Sequence, residues 1–135
     1  MKKKIVLSVV SVVIVVLIAV LVVNAITLSG RLTYSSKSEM VEDLNGVWVS
    51  RLSNGTIRSK LVIDKGNVTY YFYLHGIEGE LMSTSERNYS YEDIQFNHSR
   101  GYFKVHNGTY GKYIVKSNGN IINTDKDWEY KKISS

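Results

Sequence analysis

The sequence predicts a mainly β protein: an N-terminal transmembrane or signal helix, a short helix, then a small antiparallel up-and-down β-barrel. One observation is a 19-residue run without charge, Ile5 to Val23. Another is a period of two in hydrophobicity from Gly46 to the end of the chain. The last is Asn-Gly at 54–55, 107–108 and 118–119, each between β-type runs. Asn-Gly suits type I′ hairpins because both turn residues accept φ > 0. At 135 residues, one folded domain is expected.

The N-terminal run comes first. As a helix it measures about 28 Å, close to the ~30 Å hydrocarbon core. Its Val and Ile disfavour helix in water, but in lipid the backbone has only itself to pair with. Lys2, Lys3 and Lys4 precede it, and the positive-inside rule then puts the following domain outside the cytoplasm. The competing reading is a signal peptide cleaved after Ala25, but apolar signal regions usually span only ~7–15 residues. Residues 1–25 are therefore read as a membrane anchor or signal segment, 26–36 as a linker and 37–135 as the β-barrel domain.

Ser36-Lys37-Ser38-Glu39 has the form of a capping box, with Ser36 as the N-cap. Met40, Val41 and Leu44 follow at helical spacing, and Asn45-Gly46 supplies a stop, so two helical turns are expected. Strands are then expected at Val47–Leu52, Thr56–Ile63, Val68–Leu74, Glu80–Thr84, Tyr89–Phe96, Tyr102–His106, Thr109–Lys116, Ile121–Asn123 and Trp128–Ile133. Asp64-Lys65-Gly66-Asn67 is a further turn. Strand-sized runs every 8–12 residues mean an antiparallel meander. No long amphipathic helix is present for a parallel crossover. Closure into a barrel would remove exposed edges.

The short helix leading into Gly46-Val47-Trp48, followed by a meander, resembles the lipocalin and wider calycin pattern, over roughly residues 37–133. The resemblance is to small extracytoplasmic lipocalin-like domains of bacteria. The resemblance implies that Trp48 closes the base of the barrel, with Lys131 or Lys132 packed across it where the family usually has Arg. Lys132 is the partner chosen here. The strands are shorter than is usual for the family, so side chains can fill the interior.

Composition excludes several functions. Cys is absent, so disulfides, thiolate metal sites and a Cys nucleophile are ruled out. Three of the 17 basic residues are Lys2 to Lys4, leaving 14 basic against 12 acidic residues in the remainder. These are interspersed, and no basic stripe tracks a nucleic-acid backbone. No G-x-S-x-G elbow or phosphate loop occurs, so no enzyme is expected and no cofactor is implied. His75, His98 and His106 lack metal-ligand spacing, and His75 and His98 read as solvated turn residues. Asp125, Asp127 and Glu129 alternate as calcium ligands do, but no Gly or further ligand run follows, so a polar turn is expected. Glu78 and Glu80 lack a matching cleft for acid–base work. Sequons at Asn54, Asn67, Asn88, Asn97 and Asn107 are attributed to turn-rich composition.

Ten tyrosines remain. Tyrosine is a good strand residue and also suits contact surfaces, with an apolar body and a polar tip. Tyr71 and Tyr73, on the face opposite the core, are the candidate ligand or partner surface. The function expected is an extracytoplasmic, membrane-anchored binding domain for a small apolar ligand or an envelope or protein partner. The alternative is an accessory subunit of a membrane assembly, with helix 5–23 as its interaction element.

Overall fold

A computed structural model describes residues 11–18, 30–105 and 111–135. Residues 11–18 are helical, with exposed side chains. No helix among the described residues is long and apolar enough to cross a membrane. The rest of the expected span 5–23, and the cleavage point at Ala25, lie outside the described residues, as do His106, Asn107 and Tyr110.

The domain is a single, strongly curled antiparallel sheet of nine strands. They are β1 (Gly46–Arg51), β2 (Ile57–Asp64), β3 (Asn67–His75), β4 (Leu81–Tyr89), β5 (Ile94–Asn97), β6 (Tyr102–Val105), β7 (Lys112–Val115), β8 (Ile121–Asn123) and β9 (Trp128–Ser134). Their order is β4-β3-β2-β1-β9-β8-β7-β6-β5. Successive strands pair except β4 and β5, and the first strand pairs with the last. A 3-10 turn at Tyr91–Asp93 links the two edge strands.

The expected closed barrel is therefore left open between β4 and β5. Direction explains this. With nine strands alternating, the two edge strands run the same way. An antiparallel hairpin cannot join them, and a parallel pairing needs a connection of a dozen or more residues. Only Ser90 to Asp93 lie between Tyr89 and Ile94. The expected strands at Glu80–Thr84 and Tyr89–Phe96 shift accordingly: β4 continues through Tyr89, and the 3-10 turn separates it from β5.

The helix before β1 spans Lys37–Leu44. The Ser36 Oγ accepts from the Glu39 amide at 3.1 Å, as a capping residue does. Met40 and Leu44 face inward and are fully buried. The helix thus covers the end of the sheet where β1 begins. Lys37 lies over the Tyr91 ring at 4.4 Å, tying the helix to the 3-10 turn.

Turn chemistry differs from expectation in one respect. Gly55 and Gly119 have positive φ, but Asn54 and Asn118 do not, so neither turn is type I′. Gly55 N–H donates to Leu52 O, and Leu52 N–H to Thr56 O. Lys116 to Asn120 repeats this pattern. These are three-residue loops closed by a left-handed glycine. The Asn side chain caps the loop instead, Asn54 Oδ1 accepting from Thr56 N–H at 2.9 Å. The turn with two positive φ values is Lys65-Gly66, at 50° and 83°.

The inner faces build one core. Leu61, Ile63, Val68 and Tyr70 come from β2 and β3, Phe96, Phe103, Tyr113, Val115 and Ile121 from β5 to β8, and Tyr130 from β9. Phe103 stacks on Tyr113 at 4.9 Å and meets Phe96 in a tilted contact at 5.7 Å. Tyr113 leans on Tyr130 at 6.4 Å. This aromatic ladder occupies the space inside the curl.

Candidate functional site

At the helix-covered end, β1 and β9 set Trp48 directly opposite Lys132. The Lys132 ammonium lies 5.4 Å from the Trp48 ring centre and donates to Asp43 O at 2.9 Å. The Trp48 indole N–H donates to Leu44 O at 3.0 Å. Gly46 is required here by crowding, because a Cβ would lie 2.3 Å from Ser134 O. Lys131 instead pairs with Val49 on the outer face. Beside this end, the Tyr34 hydroxyl donates to Asp43 Oδ2 at 2.6 Å. Burial, then that carboxylate, pushes its pKa well above the ordinary tyrosine value.

Tyr71 and Tyr73 fall on the outer face of β3, half-buried and stacked at 6.4 Å. Lys60 of β2 lies 4.5 Å over the Tyr71 ring. Glu86 of β4 stands directly across from Tyr71.

The same hairpin carries a feature that the sequence reading missed. Leu74, Ile77, Leu81 and Met82 are 50%, 107%, 57% and 62% exposed. They gather at the β3–β4 tip, beyond the last covered position of the core. Residues 81–88 of β4 are all exposed, and among the described residues its outer edge has no strand neighbour. A run of serine and threonine at 83–85 was the available signal, since it withdraws apolar side chains from both faces.

On the inner face nearby, Phe72 stacks on Trp128 at 5.9 Å. Arg58 and Lys126 lie over the Trp128 ring at 4.6 and 4.5 Å. Below them Ser59 Oγ donates to Tyr71 O at 2.9 Å and lies 2.8 Å from the Tyr130 hydroxyl. The single Ser59 proton is committed to Tyr71, so Tyr130 donates. Burial above all pushes the Tyr130 hydroxyl well above its ordinary pKa.

The remaining candidates do not converge. His75 ends β3 instead of standing in a turn, half-buried, with Nε2 3.1 Å from Ile57 O. His98 lies in the β5–β6 turn, where its carbonyl accepts from Tyr34 N–H. Asp125 and Asp127 form the turn before β9, and Glu129 pairs with Lys116 at 2.6 Å. Among the described residues no group of three acidic or histidine side chains is placed to hold a metal. Glu78 and Glu80 flank Gly79 at the hairpin tip, both exposed. The Asn54, Asn67 and Asn97 side chains accept backbone N–H groups, which is turn chemistry, and Asn88 accepts from Thr69.

Comparison with known protein families, curated proteins and solved structures found no match to this chain.

Proposed function

We propose that this chain is a non-enzymatic, extracytoplasmic binding domain, tethered to a membrane by residues 5–23, whose contact surface is the β3–β4 hairpin. The observation that carries it is the exposed apolar tip of Leu74, Ile77, Leu81 and Met82 on an unpaired edge strand. Contiguous exposed apolar side chains beside a free edge are the usual makings of a protein contact. Stacked Tyr71 and Tyr73 extend that surface along the outer face. The exposed Val, Ile and Leu side chains of residues 12–18 support the tether. The linker joins the domain at Gly30 and Arg31, beside Ser117 and Lys116 at the helix-covered end. The hairpin tip lies at the other end, so a tethered domain presents it away from the bilayer.

The lipocalin-like likeness belongs to this reading through Gly46-Val47-Trp48 and Lys132. The aromatic ladder inside the curl favours a surface partner over a small apolar ligand held within. The test is site-specific photo-cross-linking in the producing cells, with the probe at Ile77 or, for comparison, at Lys104. A discrete protein adduct from position 77 alone, lost in Leu81→Ser/Met82→Ser, is expected. Equal patterns from both positions, or none, would overturn the hairpin as the surface. Replacing residues 5–23 by an unrelated membrane helix should leave the adduct in place. Its loss would favour the accessory-subunit alternative, in which the helix itself makes the contact.

A further inference from the structure

Charge is divided unevenly across the curled sheet. From Ile94 to Thr124 the chain carries Arg100, Lys104, Lys112 and Lys116 and no Asp or Glu. This stretch builds β5 to β8. From Gly76 to Asp93 it carries Glu78, Glu80, Glu86, Glu92 and Asp93 against Arg87 alone. That stretch builds β4 and the turns on either side of it.

The acid-free strands turn their cations outward. Phe103, Val105, Tyr113 and Val115 face the core, so Tyr102, Lys104, Lys112 and Ile114 alternate onto the outer face. Pairing of β6 with β7 sets Lys104 directly opposite Lys112. Like charges so placed cost stability. Among the described residues neither is relieved by an ion pair. The Lys112 ammonium lies 4.3 Å over the Tyr102 ring. Tyr102 stands across from Ile114, and Ile114 across from Ile122 of β8. Lysines beside aliphatic and tyrosine side chains suit the headgroup layer of a bilayer, where the stems lie on apolar surface and the charges meet phosphate.

The chain also enters the domain here. Leu32 N–H donates to Val115 O at 2.9 Å, Arg31 bridges Lys116, and Arg31 Nη1 donates to Arg100 O at 3.4 Å. Arg31 and Arg100 thus join the patch where the proposed tether leaves. Lys116 is engaged by Glu129 at 2.6 Å and is left out.

We infer that the outer face of β5 to β8 docks on a bilayer of anionic lipids, with Arg31, Arg100, Lys104 and Lys112 over the headgroups. The choice of occupant rests on the tether reading, because a tether at residues 5–23 brings the entry at Arg31 beside a bilayer. The carboxylates around β4 are repelled by the same surface, so the docked domain keeps its hairpin tip in solvent. Each Lys or Arg near an anionic bilayer strengthens docking about fivefold.

The experiment uses the full chain in nanodiscs of phosphatidylcholine, with or without phosphatidylglycerol. The chain has no Cys, so Gln95→Cys on the outer face of β5 carries one dye, read against a quencher on the lipid headgroups. Thr84→Cys on β4 is the comparison position. Phosphatidylglycerol should deepen quenching at 95 and leave 84 unchanged, and added salt should reverse the effect. Lys104→Gln/Lys112→Gln should lower the ratio of docked to free domain about 25-fold. Arg51→Gln, which removes the same kind of charge at the opposite end, should leave it unchanged. Quenching at 95 that ignores phosphatidylglycerol overturns the proposal. So does an equal loss in Arg51→Gln, by showing diffuse attraction to the net charge. Tight binding of soluble polyphosphate without any response to phosphatidylglycerol overturns it in favour of a soluble polyanion. Flotation with neutral vesicles reads the tether separately. A chain that fails to float there refutes residues 5–23 as the anchor. The patch is then judged by flotation with phosphatidylglycerol vesicles, which Lys104→Gln/Lys112→Gln should abolish and whose absence overturns it.

Discussion

The two wings of the curled sheet flank the β1–β9 pair and differ most in strand length. Strands β2, β3 and β4 have 8, 9 and 9 residues, whereas β5 to β8 have 4, 4, 4 and 3. At ~3.3 Å per residue β3 extends about 30 Å and β5 about 13 Å. The long wing therefore overhangs the short one. Burial along β3 records this: Val68 and Tyr70 are 2% exposed, Phe72 is half-buried and Leu74 is 50% exposed. All four share one face. An inward-facing position is thus buried only where an opposing strand reaches it.

The largest expected effect tests this contrast directly. Phe103→Ala in the short wing should cost about 3–5 kcal/mol, the usual range for a core Phe. Leu74→Ser on the overhang should change stability by less than about 0.5 kcal/mol. Thermal unfolding of the full chain in neutral detergent, followed by near-ultraviolet circular dichroism, compares the two. Equal losses would mean that the overhang is packed after all.

Alkaline pH should next act through the core. Tyr34 and Tyr130 have folded pKa values raised above the ordinary ~10. Above that pH the unfolded chain releases protons that the folded chain retains. Their stabilisation is complete below pH ~10 and falls as pH rises beyond it, by up to about 1.4 kcal/mol per pH unit for each tyrosine. Tyr130→Phe should make that decline shallower. At neutral pH the same substitution should cost about 1 kcal/mol for the lost Ser59 contact.

The smallest effect concerns the helix. Ser36→Ala removes the cap on Glu39 N–H and should cost about 1 kcal/mol or slightly less. Hydrogen exchange should then quicken in the helix and in β5, which it contacts, and stay unchanged at Leu81–Thr84. Quickening at the hairpin tip as well would show that the wings unfold as one unit.

Much of the fold was legible because it rests on local chemistry. The Ser36 cap, the Met40 and Leu44 stripe and the alternation of Leu61 and Ile63 with Lys60 and Val62 are each set by residues a few positions apart. The Trp48–Lys132 juxtaposition was implied only by the resemblance carried by Gly46-Val47-Trp48, and it is the pairing of the first strand with the last that sets the two side by side. The Asn-Gly turns were placed correctly at 54–55 and 118–119, but their geometry was not, because the Asn side chain caps the loop and leaves its own φ negative. Tyr71 and Tyr73 were assigned to the outer face by period alone, while the apolar tip beside them was overlooked.

What the sequence by itself determined is which residues alternate, where the chain turns and how the helix begins. Those depend on backbone preferences and side-chain spacing within one element. Only the tertiary structure decided where strands stop facing one another, that β4 and β5 are left as edges, and that Arg31 joins Arg100, Lys104 and Lys112 in one patch. Along the chain Arg31 stands far from the other three. They come together because β6 pairs with β7 and the linker bridges Lys116. Register and strand-end matching are set by contacts between residues far apart in the chain, such as Val47 with Ser134, and no local pattern encodes them.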